Sequence, residues 1–240
     1  MNNQNYIRLP LCNAFNIRDL GGYSTADGAV TKFHTFLRAD DLANLDDAEL
    51  QFLLDYGVHT IIDLRSKEEC EKQPNPFAAR TDVRYHNNAL LDNVIDEDAD
   101  ALGATAQEFI KDFYIGLVDN TAAAIGAVFT ALADADGAVL FHCAAGKDRT
   151  GVIAALLLGL AGVSEADIIA NYEVTYTYIR RNPTFAGAEY HSDLMLSSRE
   201  YIESMIACVN SAHGGFVQYL KSDTELTDER VQRIRERFAN

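Results

Sequence analysis

Residues 139–159, VLFHCAAGKDRTGVIAALLLG, decide the fold of this chain. They begin as an apolar run of strand length, pass through a loop that contains Gly146 and continue into an apolar helix. A continuous apolar run is typical of a strand that is covered on both faces, and a glycine loop at a helix N-terminus turns backbone N–H groups toward an anion. The sequence therefore predicts a central β-strand followed by an anion-binding loop.

Strand and helix patterns alternate before this stretch. The segments TFLRA (35–39), VHTIIDL (58–64) and VRYHN (83–87) predict strands, and LDDAELQFLLDYG (45–57) predicts a helix that ends before a glycine. Ser66 and Glu69 have the spacing of a capping box, which predicts a short helix that stops by Pro74. This alternation predicts an α/β fold with a small, mostly parallel central sheet flanked by helices.

The rest of the chain contains mainly helical patterns. Helices are expected from Thr105 toward Val118, from about Thr121 to Ala133 and from Ser164 onward, and amphipathic segments follow Pro183. Residues 91–104 are acidic and have no clear period, so we expect a mobile cover segment at about 91–118. Because no repeat or linker marks a border, we expect a single domain over residues 1–240 with a helical C-terminal half.

Composition limits the classes of partner. A formal charge of −16 disfavours nucleic acid and anionic lipid surfaces, so anion binding must be local to a loop. Four cysteines without paired metal-type spacing indicate a reducing compartment, and no signal pattern or long apolar run is present. These features predict a cytoplasmic protein without stable membrane insertion, metal or cofactor.

Five residues separate Cys143 from Arg149. A loop of this length can curl around a tetrahedral oxyanion, with its amides pointing inward and the planar Arg149 guanidinium closing the ring by a bidentate contact. Helix N-termini and cations also favour a thiolate, so Cys143 is predicted to be a nucleophile. The predicted ligands of a bound phosphate ion or phosphate ester are Ala144, Ala145, Gly146, Lys147 and Thr150.

The segment HCAAGKDRTG (142–151) resembles the His-Cys-x5-Arg-Ser/Thr signature of cysteine-dependent tyrosine phosphatases. Together with NIRDLGGY (16–23), FLRADDL (36–42) and DLRSKEE (63–69), it is similar to the bacterial and fungal tyrosine phosphatase-like family of atypical dual-specificity enzymes. The resemblance implies a metal-independent hydrolase that acts on phosphotyrosine in proteins, and also on phosphoserine or phosphothreonine, through a cysteinyl-phosphate. A phosphoinositide substrate is the alternative, because a lysine at position 147 goes with multiply phosphorylated substrates in related phosphatases.

The general acid has two candidates. The resemblance implies Asp148, inside the loop, whereas the Trp-Pro-Asp loop of the best-known tyrosine phosphatases has no counterpart in a chain without tryptophan. Asp92, in the acidic segment after the third predicted strand, is the rival. His142 is expected to support the loop through hydrogen bonds rather than act as a base.

Other polar residues are expected to be structural. Internal ion pairs are favoured over pocket lining for Arg18, Asp19, Arg38 and Arg65, and no activating neighbours are expected for Cys12, Cys70 and Cys208. A catalytically inactive phospho-binding module is disfavoured because both loop residues, Cys143 and Arg149, are present. A thiol-based arsenate reductase is disfavoured because no second cysteine lies close to Cys143 in sequence.

Overall fold

The computed structural model describes residues 4–91, 106–185 and 195–239. Within them, a five-stranded sheet has the order β1-β2-β5-β3-β4, with β1 antiparallel to β2 and all other neighbours parallel. The strands are β1 (Arg18–Asp19), β2 (Phe36–Ala39), β3 (Val58–Asp63), β4 (Arg84–Asn87) and β5 (Ala138–His142). The helices are α1 (Asp47–Asp55), α2 (Lys67–Lys72), α3 (Ala106–Asn120), α4 (Ala122–Asp134), α5 (Asp148–Leu160), α6 (Glu165–Ile179), α7 (Arg199–Ala212), α8 (Phe216–Ser222) and α9 (Asp228–Phe238), with a 3-10 turn at Pro183–Phe185.

This architecture confirms the predicted fold class. The sheet is small and mostly parallel, and every element described after β5 is helical. The two-residue strand β1 was not predicted, because two residues are too few to show an alternating pattern.

Strand β5 occupies the middle of the sheet, and all of its residues are buried. Val139 and Phe141 belong to a core layer shared with helices α3, α4, α5 and α7, whereas Ala138 and Leu140 belong to the layer on the other face. Successive side chains of a strand point to opposite faces, so a continuous apolar run supplies both layers at once. The burial pattern expected from residues 138–142 is therefore confirmed.

The parallel register brings three strand ends to one edge of the sheet. His142 at the end of β5 pairs with Ala39 at the end of β2 and with Asp63 at the end of β3. Ligands of open α/β sheets bind beyond the carboxyl ends of the strands. The loop after His142 thus begins where the fold favours a binding site.

Helix α5 starts at Asp148, inside the segment between Cys143 and Arg149. Gly146 has a positive φ of 65°, so the chain completes its turn before Lys147 and the helix can begin at the next residue. Nearly all α5 side chains are buried, which makes it the central helix of the larger core layer.

Helix α2 has the predicted capping box. The Ser66 hydroxyl accepts from the Glu69 N–H at 3.2 Å, and the Glu69 carboxylate accepts from the Ser66 N–H at 2.7 Å. This pair fixes the Glu69 side chain at the start of the helix.

The expected cover segment at 91–118 is only partly described. Residues 106–118 belong to helix α3, in which Ile110, Tyr114 and Leu117 are buried against the core. The apolar side of residues 106–118 is therefore packed into the core. Residues 92–105, including Asp92, lie outside the described residues.

In the described ranges, no single helix has the length and apolar composition to cross a membrane, although the bent pair Gln107–Asn120 and Ala122–Asp134 meets these criteria jointly.

Candidate active site

Cys143 directly follows β5 and lies at the base of the loop. Its exposed fraction is 3 %, so the residue is buried. The cause is position: Cys143 belongs to the larger core layer, below the loop that follows it. A reagent must therefore enter the loop to reach the sulfur.

The loop carbonyls point away from its concave side. The Ala144 carbonyl accepts from the Asp41 N–H at 2.9 Å, and the Asn16 side-chain amide donates to the carbonyls of Ala145 and Gly146, each at 3.0 Å. In a trans peptide the C=O and the next N–H point in opposite directions, and the described chain has no cis bond. The N–H groups of residues 145–147 therefore point inward, as an oxyanion cradle requires.

The start of α5 adds further donors. Gly151 N–H makes the first backbone hydrogen bond of the helix, to the Lys147 carbonyl at 2.7 Å, and Lys147 provides no side-chain cap. The first N–H groups of a helix have no partner within it, so a capless N-terminus is suited to an anion. The Thr150 hydroxyl is also buried and has no hydrogen-bond partner among the described residues.

Arg38 supports the loop from below. Its guanidinium donates to the Gly146 carbonyl at 2.7 Å and to the Asn171 side chain at 2.6 Å. Burial lowers the pKa of Arg38 to about 10, which still leaves it cationic at neutral pH. Arg18 also belongs to this support, since it donates to the Asn171 carbonyl at 2.9 Å. Arg38 and Arg18 thus hold the backbone rather than line the pocket.

Arg65 and Asp19 are also internal. Arg65 pairs with Asp63 and Asp41, each at 2.7 Å, and Asp19 accepts from the Tyr56 hydroxyl at 2.8 Å. The favoured interpretation of these residues as structural matches their positions.

His142 links the loop to strand β3. Its Nδ1 lies 3.1 Å from the Cys143 carbonyl, and its Nε2 lies 2.8 Å from the Asn75 amide and 3.3 Å from the Asp63 carboxylate. Burial would raise the pKa of Asp63, but His142 and Arg65 together hold it well below its usual value. The Asp63 carboxylate is therefore a negative charge that orients the imidazole of His142.

Arg149 is held by Glu69 of helix α2. Two parallel hydrogen bonds of 2.6 and 2.8 Å join the guanidinium to the carboxylate. Burial opposes the charge of Arg149, yet the Glu69 hydrogen bonds and the Cys143 sulfur raise the pKa of Arg149 above its ordinary value. Both terminal nitrogens bond Glu69, so Nε–H and the second hydrogen of each terminal nitrogen remain for an oxyanion.

Asp148 is contacted by a tyrosine chain, that is, by Tyr114 and the tyrosine hydrogen-bonded to it, Tyr172. The Tyr114 hydroxyl donates to Asp148 Oδ1 at 2.6 Å, and the Tyr172 hydroxyl lies 2.5 Å from that of Tyr114. Burial and the Asp148 carboxylate raise the pKa of Tyr114 well above its usual value, so it remains a donor at neutral pH. The Lys147 ammonium also lies 3.3 Å from Oδ1, which leaves Oδ2 for a substrate.

Lys147 is not directed outward. Its side chain is 4 % exposed, and besides Asp148 it contacts the Leu196 carbonyl at 3.3 Å. The second cation expected for additional phosphates is therefore engaged inside the protein.

A cavity of about 490 Å³ adjoins the loop at Ala144. Its described lining contains side-chain amides, aromatic rings and one carboxylate but no lysine or arginine: Asn13, Phe15, Asp41, Asn44, Gln73, Ala144, Asn182, Pro183, Thr184 and Phe185. Such a surface is polar without being cationic.

Several supporting residues were missed by sequence reasoning. Asn16 and Glu69 lie inside the segments NIRDLGGY and DLRSKEE, and Glu69 also had the capping-box spacing, but nothing in the sequence indicated their contacts with the loop. Tyr114, Asn75 and Asn171 were not singled out. Of the four cysteines only Cys143 lies at the loop; Cys12 is exposed, and Cys70 and Cys208 are partly buried. The one group of potential metal ligands found in the described residues, Asp119, Cys208 and His213, includes no loop residue.

Comparison with known proteins identifies the family. The model of the tyrosine phosphatase family matches residues 9–240. A tyrosine-protein phosphatase of Nostoc commune is 31 % identical over 220 residues, which cover 85 % of this chain and 74 % of that protein. The triple specificity protein phosphatase PtpB of Mycobacterium tuberculosis is 29 % identical over 189 residues, which cover 68 % of this chain and 67 % of that protein. With a loop built for an oxyanion and a family match over nearly its whole length, the chain belongs to the tyrosine phosphatase family, as its signature segment indicated.

Proposed function

We propose that this tyrosine phosphatase hydrolyses phosphotyrosine in proteins at the 143–150 loop, with Cys143 as nucleophile. The observation that carries the proposal is the outward direction of the loop carbonyls, since it turns the N–H groups of residues 145–147 toward the inside of the loop that begins at Cys143. The proposal takes residues 1–240 as one phosphatase domain, which is supported by two core layers that share one sheet.

In the first step the Cys143 thiolate attacks phosphorus, an S–P bond forms and the bond to the ester oxygen breaks. The cradle amides and Arg149 bind the equatorial oxygens, whose charge grows in the transition state. Asp148 gives a proton to the departing phenolate oxygen through Oδ2, while Tyr114 holds Oδ1.

In the second step water attacks the cysteinyl-phosphate. Its proton goes to the Asp148 carboxylate, the S–P bond breaks, and inorganic phosphate leaves the loop. The Thr150 hydroxyl, buried and without a described partner, is available to donate to the sulfur as the thiolate re-forms.

Phosphotyrosine proteins fit the surroundings better than phosphoinositides. Lys147 is engaged with Asp148 and Leu196, and the adjoining cavity is lined by amides and aromatic rings rather than cations. Extra phosphate groups need cations, whereas amides suit a peptide backbone. Phosphoserine and phosphothreonine are included as slower substrates. We also place the enzyme in the cytoplasm, where a reducing environment keeps Cys143 as a thiol.

The test is hydrolysis of phosphotyrosine, phosphoserine and phosphothreonine peptides and of phosphoinositides, with excess chelator present. Wild-type protein should act fastest on phosphotyrosine peptides. The variant Cys143→Ser should bind the peptide without turning it over, and the control Cys12→Ser should keep full activity. Faster turnover of a phosphoinositide would replace the proposed substrate, and turnover by Cys143→Ser within tenfold of wild type would remove Cys143 from the mechanism.

A further inference from the structure

Three potential metal ligands meet where α3, α7 and the turn after α7 come together. The Asp119 carboxylate, the Cys208 thiol and the His213 imidazole offer ligand atoms that all lie within 4.8 Å of one another. Asp119 Oδ1 is 2.9 Å from His213 Nε2 and 3.8 Å from Cys208 Sγ. None of these residues belongs to the proposed phosphatase machinery.

The His213 ring is oriented for metal binding by a second carboxylate. Its Nδ1 lies 3.0 Å from Asp223 Oδ1, so this nitrogen carries one hydrogen, while Nε2 faces Asp119 and Cys208. A carboxylate that accepts from one ring nitrogen while the other nitrogen binds metal is the usual outer arrangement of zinc histidines.

The supporting framework includes the buried side chain of Tyr219. The Tyr219 ring packs edge-on against His213, with centroids 5.2 Å apart, and its hydroxyl donates to the Val118 carbonyl at 2.7 Å, next to Asp119. The positive φ values of Gly214 and Gly215 turn the chain from α7 into α8, which returns Asp223 to the imidazole. The ligands therefore approach from separate elements whose positions are set by packing.

We propose that Asp119, Cys208 and His213 bind one zinc ion, with water as the fourth ligand and Asp223 holding the His213 ring. A thiolate, an imidazole and a carboxylate together select zinc over magnesium or calcium, which prefer oxygen ligands alone. Tetrahedral bonds of about 2.0–2.3 Å place ligand atoms about 3.3–3.6 Å apart, so shifts below about 1 Å complete the site.

Binding is accompanied by proton release. Zinc replaces the hydrogen of the Cys208 thiol and the hydrogen on His213 Nε2, while the Nδ1 hydrogen stays on its bond to Asp223. Zinc at this position ties the C-terminal turn of α3 to α7 and to the end of α8, and it takes no part in phosphate chemistry.

The experiment uses the full chain with Cys143→Ser, since the nucleophilic thiol itself would bind zinc. Competition for zinc with a chromophoric chelator should give one equivalent bound, and zinc but not magnesium should raise the unfolding temperature. Cobalt should give a thiolate-to-metal charge-transfer band. Adding Cys208→Ser should remove the band and the zinc equivalent, whereas the matched control Cys12→Ser should leave both unchanged.

Two further variants separate the roles of the carboxylates. Asp119→Asn alters an exposed side chain and keeps the fold, and it should lose the zinc equivalent. Asp223→Asn should weaken zinc affinity about 10- to 100-fold while the charge-transfer band remains. Absence of saturable zinc binding, or binding by the Cys208→Ser or Asp119→Asn variant as tight as that of the parent protein, would overturn the proposal and leave an ion pair between His213 and two carboxylates.

Discussion

Arg149 and Glu69 form a bidentate ion pair with both hydrogen bonds at or below 2.8 Å. Glu69 is fixed in turn by its capping box with Ser66, so the start of a short helix determines how the guanidinium faces the loop. The carboxylate uses one hydrogen on each terminal nitrogen and leaves the Nε edge for phosphate oxygens. Glu69 is therefore a positioning residue for Arg149.

The first prediction concerns Glu69→Gln. The amide keeps the cap but loses the charge and one acceptor, so Arg149 is misplaced and kcat/KM should fall by about tenfold to a hundredfold, with weaker inhibition by inorganic phosphate. Glu71→Gln on the same helix is the matched control, because Glu71 is exposed and its carboxylate makes only a long, 3.9 Å ion pair with Lys67. The activity of this variant should equal that of wild type. Steady-state kinetics of both variants checks this, and equal values for the two would remove Glu69 from the site.

The second prediction assigns the general acid. An aryl phosphate with a very acidic phenol leaves without a proton, whereas phosphotyrosine needs one. Asp148→Asn should slow phosphotyrosine hydrolysis by about 10²–10⁴ and the activated ester much less. Asp92→Asn should spare both substrates. A selective loss in Asp92→Asn would transfer the role to that residue, and equal losses on both esters in Asp148→Asn would mean that Asp148 only shapes the loop.

A third prediction follows from the tyrosine chain at Asp148. Tyr114→Phe removes the 2.6 Å donor to Oδ1 and keeps the buried ring. The kcat of the variant on phosphotyrosine should fall, and the pH profile of this reaction should shift. Its activity on the activated ester should be unchanged. Comparing the pH profiles of variant and wild type checks this, and loss of both activities together with a lower unfolding temperature would indicate a packing role only.

The fourth prediction tests the cradle through its glycine. A Cβ on Gly146 would lie 2.4 Å from the Ala39 carbonyl oxygen, and its φ of 65° disfavours other residues. Gly146→Ala should therefore abolish activity and phosphate binding without removing a charge. Gly28→Ala is matched for positive φ, but its Cβ meets nothing within 4 Å, so it should be only slightly less stable and fully active. Retained phosphate binding in Gly146→Ala would contradict the close approach.

The fifth prediction concerns pH and Asp40, which accepts from the N–H groups of Phe15 and Asn16 at 3.0 and 2.9 Å. Burial raises the pKa of Asp40 from 3.8 to about 6. The folded state then binds more protons than the unfolded state between these values, so the Asp40 contribution to the unfolding free energy decreases as pH rises from about 4 to about 6.

The measurement is denaturant unfolding of wild type and Asp40→Asn across this range. At ~1.4 kcal/mol per pKa unit, the unfolding free energy of wild type minus that of the variant should drop by about 2 kcal/mol between pH 4 and pH 6, because each end of this range lies close to one of the two pKa values. Carbon NMR of the Asp40 carboxyl should titrate with a midpoint near pH 6. A midpoint near 4, with no change in the difference, would contradict the effect of burial.

The local pattern around Cys143 was sufficient to predict strand, loop and helix in order, because each depends on neighbours in sequence. The partners that position the site could not be predicted in the same way. Tertiary packing alone brings Asn16, Glu69 and Tyr114 to the loop. A single sequence does not show which remote positions lie close together in space. Glu69 illustrates the difference, since its role as a cap was visible from spacing alone and its contact with Arg149 was not.

The depth of Cys143 has a consequence for inactivation by chemical reagents. Only 3 % of Cys143 is exposed, and the residue lies at the base of the loop. Access of a reagent to the sulfur should therefore depend on the size of the reagent. We expect hydrogen peroxide and iodoacetate to reach the sulfur, bulky maleimides and glutathione disulfide to be excluded, and inorganic phosphate to protect it. The depth of the thiol is thus expected to make the enzyme sensitive to small oxidants and resistant to large ones.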